Sequence, residues 1–414
     1  MRVKICVLMV LFCCFAVGAN AQFVEVRDGR FYIGDSEYRY VGTNFWYGAI
    51  LASEGRGGDR RRLRKELDLM QKVGIDNVRV LIGGDGREGL ASHIEPVLQT
   101  SPGVYNDTIL RGLDYLMAEF EKRDMKAILY FNNAWEWSGG YGAYLEWVTG
   151  KRCPIPSVDG WSEYMKYVSD FVMNDEAIEL SSKHIRNMVT RRNTITGRLY
   201  KDSPALMAWE VANEPRCFGT DSLHKARLVE FIDKQSRLIK RLDPNHLVTT
   251  GSEGRNGCED DLNLFTAIHA LPCIDYACIH IWPYNWNWIK DKHDQINTLT
   301  QQYIDEAYER MAPIGRPVVL EEFGYPRDNM RFDAGSPTTE RDSYYAFIFS
   351  VIRDSGKIAG CNFWGWGGLA KPKHTFWERW DDYVGDPAQE EQGLNSVFAK
   401  DKSTLKVIRG FASN

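Results

Sequence analysis

The sequence predicts an α/β fold, a single-domain TIM barrel of eight parallel strands with decorated βα loops, and three observations lead to it. Strand-like apolar runs alternate with amphipathic helical stretches eight times, the signature of a parallel α/β array. Two of those runs end in a carboxylate followed by a chain breaker, Asn213-Glu214-Pro215 and Glu321-Glu322-Phe323-Gly324, and such barrels keep their chemistry at the C-terminal ends of strands. No Gly-x-Gly-x-x-Gly turn follows the first strand, so the rival doubly wound sheet lacks its dinucleotide signal.

Residues 1–21 read as a secretory signal peptide: a basic start, an apolar run over 5–18, and Ala19-Asn20-Ala21 as the cleavage site before Gln22. That run is too short for a membrane span, and no later stretch approaches the required length. Residues 22–414 then form the barrel. Candidate strands fall at 40–47, 77–82, 126–132, 205–213, 247–251, 276–281, 318–323 and 359–364. Helical periodicity marks 60–73, 109–123, 223–242, 296–311 and 341–354, and the third connection, 161–192, has room for more than one helix. The long segments 83–105 and 135–160 follow strands two and three on the C-terminal face, where loops of that length build clefts.

Net charge is −5 with 26% charged residues of mixed sign, which points to no nucleic-acid or membrane surface. A monomer is expected. Six cysteines remain after the signal peptide (Cys153, Cys217, Cys258, Cys273, Cys278 and Cys361), in a compartment that permits disulfides. Their pairing is not readable, none has zinc-site spacing, and buried free thiols are the alternative. The histidines show no ligand spacing either, so neither a metal nor a cofactor is expected. Aromatic content is high at 13%. Trp46, Trp135, Trp137, Trp282, Trp286, Trp288, Trp364 and Trp366 fall at or just past strand ends, where indole faces suit pyranose rings, while Trp209 fits the core.

Strands four and seven face each other across the mouth of a closed barrel, so Glu214 can meet a carboxylate from strand seven. Two carboxylates flanking a bond are what glycoside hydrolysis needs, and a separation of about 5–5.5 Å gives retention of configuration. Strand parity does not separate Glu321 from Glu322. Glu210 shares parity with Glu214 but lies a pleat deeper, as a buried, paired carboxylate would. Arg79, on strand two, needs a partner, either the strand-seven nucleophile or Glu210.

Several motifs together resemble glycoside hydrolase family 5, and specifically its β-mannanase branch. They are Tyr40-Val41-Gly42-Thr43-Asn44, Asn132-Asn133-Ala134-Trp135 with Gly139-Gly140, the run Arg191-Arg192-Asn193-Thr194-Ile195-Thr196-Gly197 leading through Tyr200-Lys201-Asp202 to the Glu214 motif, and Phe363-Trp364. The resemblance spans most of 22–414. It implies Glu214 as acid/base and Glu322 as nucleophile, with Asn213 holding the sugar 2-hydroxyl and His280 beside the pair. It makes Trp364 the floor of the subsite next to the scissile bond and places Trp135 along the cleft. Trp282 stands where the family more often has a Tyr whose hydroxyl contacts the nucleophile; indole donates but does not accept, so that contact is either made differently, with Tyr284 as a candidate, or absent. The implied protein is a secreted, retaining endo-β-1,4-mannanase acting on mannan, glucomannan or galactomannan, or on manno-oligosaccharides, without a cofactor. Glu214 is expected to be protonated at rest, its pKa raised by apolar surroundings and the Glu322 charge. An exo-acting β-mannosidase is the alternative, with 135–160 walling off one end of the cleft; a non-catalytic glycan-binding barrel is a distant one.

Overall fold

Strands buried on both faces by helices read as continuous apolar runs, and every residue of the eight barrel strands is buried. The computed structural model describes residues 22–412, so the signal-peptide segment lies outside the described residues. The barrel strands are β1 (Tyr40–Asn44), β2 (Asn77–Leu81), β3 (Lys126–Tyr130), β4 (Leu206–Glu210), β5 (Leu247–Thr249), β6 (Ala277–Ile281), β7 (Val318–Phe323) and β8 (Gly360–Phe363). They lie in the order β5-β4-β3-β2-β1-β8-β7-β6, all parallel. Between β5 and β6 the ring closes through Asp275 N–H to Val248 O (2.8 Å) and His280 N–H to Glu253 O (3.1 Å).

Some strands stop short of their apolar runs. β4 ends at Glu210, and residues 211–214 run on as a tied-down crest: Val211 N–H donates to Thr249 O (3.1 Å), Asn213 N–H to Asn132 O (2.8 Å) and Glu214 N–H to Gly251 O (2.9 Å). Glu214 is thus four residues past the strand, yet held between β3 and β5.

The predicted helices appear within two residues of their expected bounds, at Arg60–Lys72, Asp107–Arg123, Ser222–Leu242, Ile296–Met311 and Thr339–Ser355. Asp59, Asn106 and Asp221 accept the first free N–H groups of three of them, the usual N-cap device. The third connection carries helices at Gly140–Thr149, Trp161–Val168 and Asp175–Val189. Sequence periodicity did not anticipate the hairpin Val24–Arg27/Arg30–Ile33, whose Val24 and Phe31 plug the N-terminal end of the barrel against Met207, Tyr276 and Val319. It also missed the pairing of Trp366–Gly368 with Val397–Phe398, which closes off a long insertion after β8. The six cysteines within the described residues are free thiols: Cys217, Cys258, Cys278 and Cys361 are buried, as the alternative had it, while Cys153 and Cys273 are half-buried.

The Arg191–Gly197 motif has a structural task. Buried Asp114 accepts from Arg191 (2.7 and 3.0 Å), from Thr194 N–H (3.0 Å) and Oγ1–H (2.7 Å), and from the Tyr200 hydroxyl (2.8 Å). One carboxylate therefore ties the connection into β4 onto the helix before β3. Asp114→Ala leaves Arg191 half-buried without its partner and should destabilise the protein by about 3–5 kcal/mol. Chemical denaturation at constant m-value checks this; a loss below about 1 kcal/mol would contradict it.

Candidate active site

A guanidinium buried in a barrel core must be surrounded by acceptors. Arg79, fully buried on β2, is. Its Nε and Nη2 fork onto Glu210 (2.8 and 2.5 Å), Nη2 also reaches Asn213 Oδ1 (2.8 Å), and Nη1 donates to Asn44 Oδ1 (3.0 Å) and to Glu322. The two partners the sequence left open are therefore both present.

The ambiguity between Glu321 and Glu322 is resolved by a β-bulge. Ile279 pairs with Leu320 but His280 pairs with Glu322, leaving Glu321 as an extra residue in β7. Both side chains consequently face inward: Glu322 lines the cavity, while Glu321 is buried below it, 3.8 Å from both Arg79 Nε and His280 Nε2.

Glu214 sits opposite. Its backbone has φ 49°, a left-handed conformation uncommon for a non-glycine residue, held by the flanking bonds just described. Its Oε2 accepts from the Trp135 indole N–H and its Oε1 lies 2.7 Å from His280 Nδ1. One oxygen each of Glu214 and Glu322 and a ring nitrogen of His280 lie within 4.8 Å of one another. These atoms are also spaced as a divalent cation's ligands would be, and Arg79, bonded to Glu322, supplies a positive charge at that place.

Burial is the main force raising both carboxyls, and their mutual repulsion raises Glu322 further. Arg79 pulls Glu322 down; Arg216 and the Trp135 N–H pull Glu214 down by less than burial lifts it. The pair titrates as a unit. Arg79 bonds Glu322 directly and favours its ionised form, whereas Glu214 has no bond to that guanidinium. Burial also lowers the His280 pKa to about 4, so its imidazole is neutral beside them.

The pair opens into a cavity of about 940 Å³, at the upper end of small-ligand sites, lined by Trp135, Trp137, Trp282, Trp286 and Trp364 among others. Asn213 lines it too, with its amide engaged by Arg79 and by Asn133 (3.1 Å). Trp282 packs edge-on to Trp364 (5.9 Å) with its N–H directed at Glu214, and Tyr284 lies on the rim. Three of the eight tryptophans expected as platforms are not in the cleft. Trp46 is buried beneath the insertion after β8, its N–H donating to Gly385 O (2.9 Å). Trp366 is buried on Glu66 (2.9 Å), and Trp288 packs behind Trp286. Position after a strand end gives the face of the barrel but not the depth.

The same insertion forms one wall. Tyr383 exchanges two hydrogen bonds with the Glu95 backbone, Arg379 forks onto the Glu95 carboxylate, and Asp386 accepts from the N–H groups of Gly393, Asn395 and Ser396. Gly365 and Gly385 pack backbone to backbone, leaving no room for a Cβ on either. This knuckle presents Pro387, Gln389 and Glu390 to the cavity, with Glu390 Oε2 buried and unbonded and its carboxyl pushed well up by burial. On the opposite side Glu253 accepts from Arg216, Asn256 (2.9 Å) and the Trp286 N–H (2.9 Å), and the Arg216 guanidinium lies over Trp135. Glu253, Glu390, Arg216 and Trp161 were not singled out from sequence. The Pro-flanked Arg216 was the legible one; the others sit in aperiodic loops or on a short helix.

A family model described as GH family 5 beta-mannosidase-like matches residues 21–414. The chain is 27% identical over 406 residues to mannan endo-1,4-beta-mannosidase 1 of Oryza sativa subsp. japonica, covering 95% of this chain and 86% of that one. It is similar to the crystal structure of a glycoside hydrolase family 5 mannosidase from Rhizomucor miehei, with TM-score 0.86, 28% identity and coverage of 96% and 98%. The endo-1,4-beta-mannanase of the same fungus shares the fold, with TM-score 0.72, 24% identity and coverage of 94% and 98%.

The depressed His280 pKa makes a direct prediction. A buried imidazole resists charging, so His280 should stay neutral from about pH 8 down to about pH 5 and take its proton only in more acidic solution. Imidazole ¹⁵N shifts followed through a pH titration read this; a midpoint near the ordinary 6.5 would contradict it.

Proposed function

The chain belongs to the GH family 5 beta-mannosidase-like family, and from that premise we propose that it is a retaining endo-β-1,4-mannanase acting on mannan, glucomannan or galactomannan. The observation that carries the proposal is the carboxyl pair itself. One member is bonded to Arg79, the other to the Trp135 N–H and beside His280, and an oxygen of each lies within 4.8 Å of the other at the floor of an aromatic cleft. A spacing this close favours a covalent route over direct attack by water, which needs about 6.5–9.5 Å between carboxyl groups.

In the first step Glu322 attacks the anomeric carbon while Glu214 protonates the departing glycosidic oxygen, giving a mannosyl-enzyme and a shortened chain. In the second, Glu214 takes a proton from water, which displaces Glu322 and restores the original configuration. Asn213, with one amide hydrogen beyond its bond to Asn133, is assigned to the sugar 2-hydroxyl. Trp364 underlies the sugar under attack, Trp135 orients Glu214, and Trp282, with Tyr284 outside it on the rim, bounds the cleft. Every residue given a role here belongs to one chain, and the proposed working unit is a monomer. We place the protein outside the cytoplasm, processed before Gln22; among the described residues no helix is long and apolar enough to cross a membrane.

One observation favours a second reading, an exo-acting β-mannosidase. The wall expected from 135–160 is supplied instead by the insertion after β8, which covers Trp46 and sets Gln389 and Glu390 against the cavity. Digestion of mannohexaose separates the two: mannobiose and mannotriose from the earliest time points are expected, and mannose alone would select the exo reading.

The catalytic roles have a stereochemical test. Glu322→Ala should lose at least about 10⁴-fold in turnover, of the order seen for nucleophile removal in other covalent enzymes, and recover with azide on an activated mannoside to give α-mannosyl azide by a single inversion. Glu214→Ala with azide should give the β-azide, because azide then intercepts the mannosyl-enzyme. Exchange of the two outcomes, or undiminished activity without azide, would overturn the assignment.

A further inference from the structure

We propose that Trp161 is the stacking platform of a distal sugar subsite on the leaving-group side of the cleft, and that it makes the enzyme favour substrates extending at least two sugar units beyond the scissile bond. The proposal rests on the mannanase reading.

Trp161 is 48% exposed and Met165, one helical turn on, is 41% exposed, and both line the catalytic cavity. Isolated exposed apolar side chains are ordinary. An adjacent pair opening into a polar-floored cleft is the pattern of a binding surface.

The helix that carries them is fixed. Gly160 has φ 92° and ψ 151°, a region essentially restricted to glycine, and this bend starts the helix at Trp161. One turn later Tyr164 is buried and its hydroxyl donates to Ala134 O (2.6 Å), next to Trp135. The edge of one indole meets the face of the other, Trp161 and Trp135 lying 5.8 Å apart at 86°. Trp135 in turn donates to Glu214. The sequence Glu214, Trp135, Trp161 therefore leads outward from the acid/base in two aromatic steps.

The direction follows from the chemistry. Glu214 protonates the leaving oxygen, so the departing chain lies on its side, with Trp135, Arg216 and Trp161; Glu322 and Trp364 hold the other sugar. The C–H face of a pyranose on the exposed indole replaces water on both, a contact comparable to other aromatic packing and sufficient for roughly ten-fold in kcat/KM.

The experiment compares kcat/KM on mannohexaose with kcat/KM on 4-nitrophenyl β-mannoside, for the wild type, Trp161→Ala and Trp161→Phe. The ratio should fall about ten-fold in Trp161→Ala, carried by KM rather than kcat, and by less in Trp161→Phe. An unchanged ratio in both variants would overturn the platform, as would a fall carried by kcat alone. If Trp161→Ala does not fold, the Trp161→Phe ratio decides in the same way. A wild-type enzyme that releases no reducing ends from mannan would instead defeat the underlying reading, so the two failures are distinguishable.

Discussion

The site depends on one buried guanidinium. Arg79 lies over the Tyr130 ring at 4.5 Å, forks onto Glu210 and bonds Glu322, Asn44 and Asn213, while Glu321 waits 3.8 Å away. Arg79, with Arg216 on the side of Glu214, supplies fewer positive charges than Glu210, Glu321, Glu322 and Glu214 would carry if all were ionised, and each uncompensated buried charge costs several kcal/mol. Some of these carboxyls must therefore hold protons at neutral pH. Distance from Arg79 distinguishes them: the guanidinium pulls against burial at Glu210 and Glu322, which it bonds, while Glu214 is bonded to Trp135 and lies beside His280 instead. On the proposed assignment, the division between nucleophile and acid follows which carboxyls the fork can reach.

The cleft is asymmetric because two insertions were spent on different things. The one after β8 is pinned through Glu95 and Asp386 and fills the ground above Trp46. The connection after β3 instead sets Trp135 and Trp161 along an open wall. A pinned wall on one side and a pair of stepped indoles on the other frame the cleft.

Much of this was legible in the chain because apolar periodicity and cap residues act locally. The eight strand runs and the five helices, started by residues such as Asp59 and Asp221, needed no tertiary information. Glu214 and Trp135 were legible as members of motifs. What stayed hidden depends on partners distant in sequence. Trp46 reads as a platform until Gly385, more than three hundred residues on, covers it. Glu390 sits in a loop with no period, and Trp161 opens a short helix placed by bonds from Tyr164 to Ala134 O and from Tyr167 to Lys151 O and by the buried Val168. The choice between Glu210 and the nucleophile as partner of Arg79 was no choice, because a guanidinium has five N–H groups to share.

Parity failed at Glu321 and Glu322 for a reason that bears on how the barrel holds so many carboxyls. Period-two alternation assigns neighbouring residues to opposite faces, but a bulge admits an extra residue and resets the count. β7 carries its bulge at Glu321, and β4 carries one at Met207, where Ala127 pairs with Leu206 but Ile128 pairs with Ala208. Both strands that lead to the carboxyl pair are therefore advanced by one residue against a neighbour. Without the bulge in β7, Glu321 and Glu322 would point to opposite faces, and only one would reach Arg79. The register shift delivers Glu322 to the cavity and Glu321 beneath it, against His280 and Arg79. The crowding of carboxyls around Arg79 is in this sense a property of the backbone, built into the register of the strands that carry the pair.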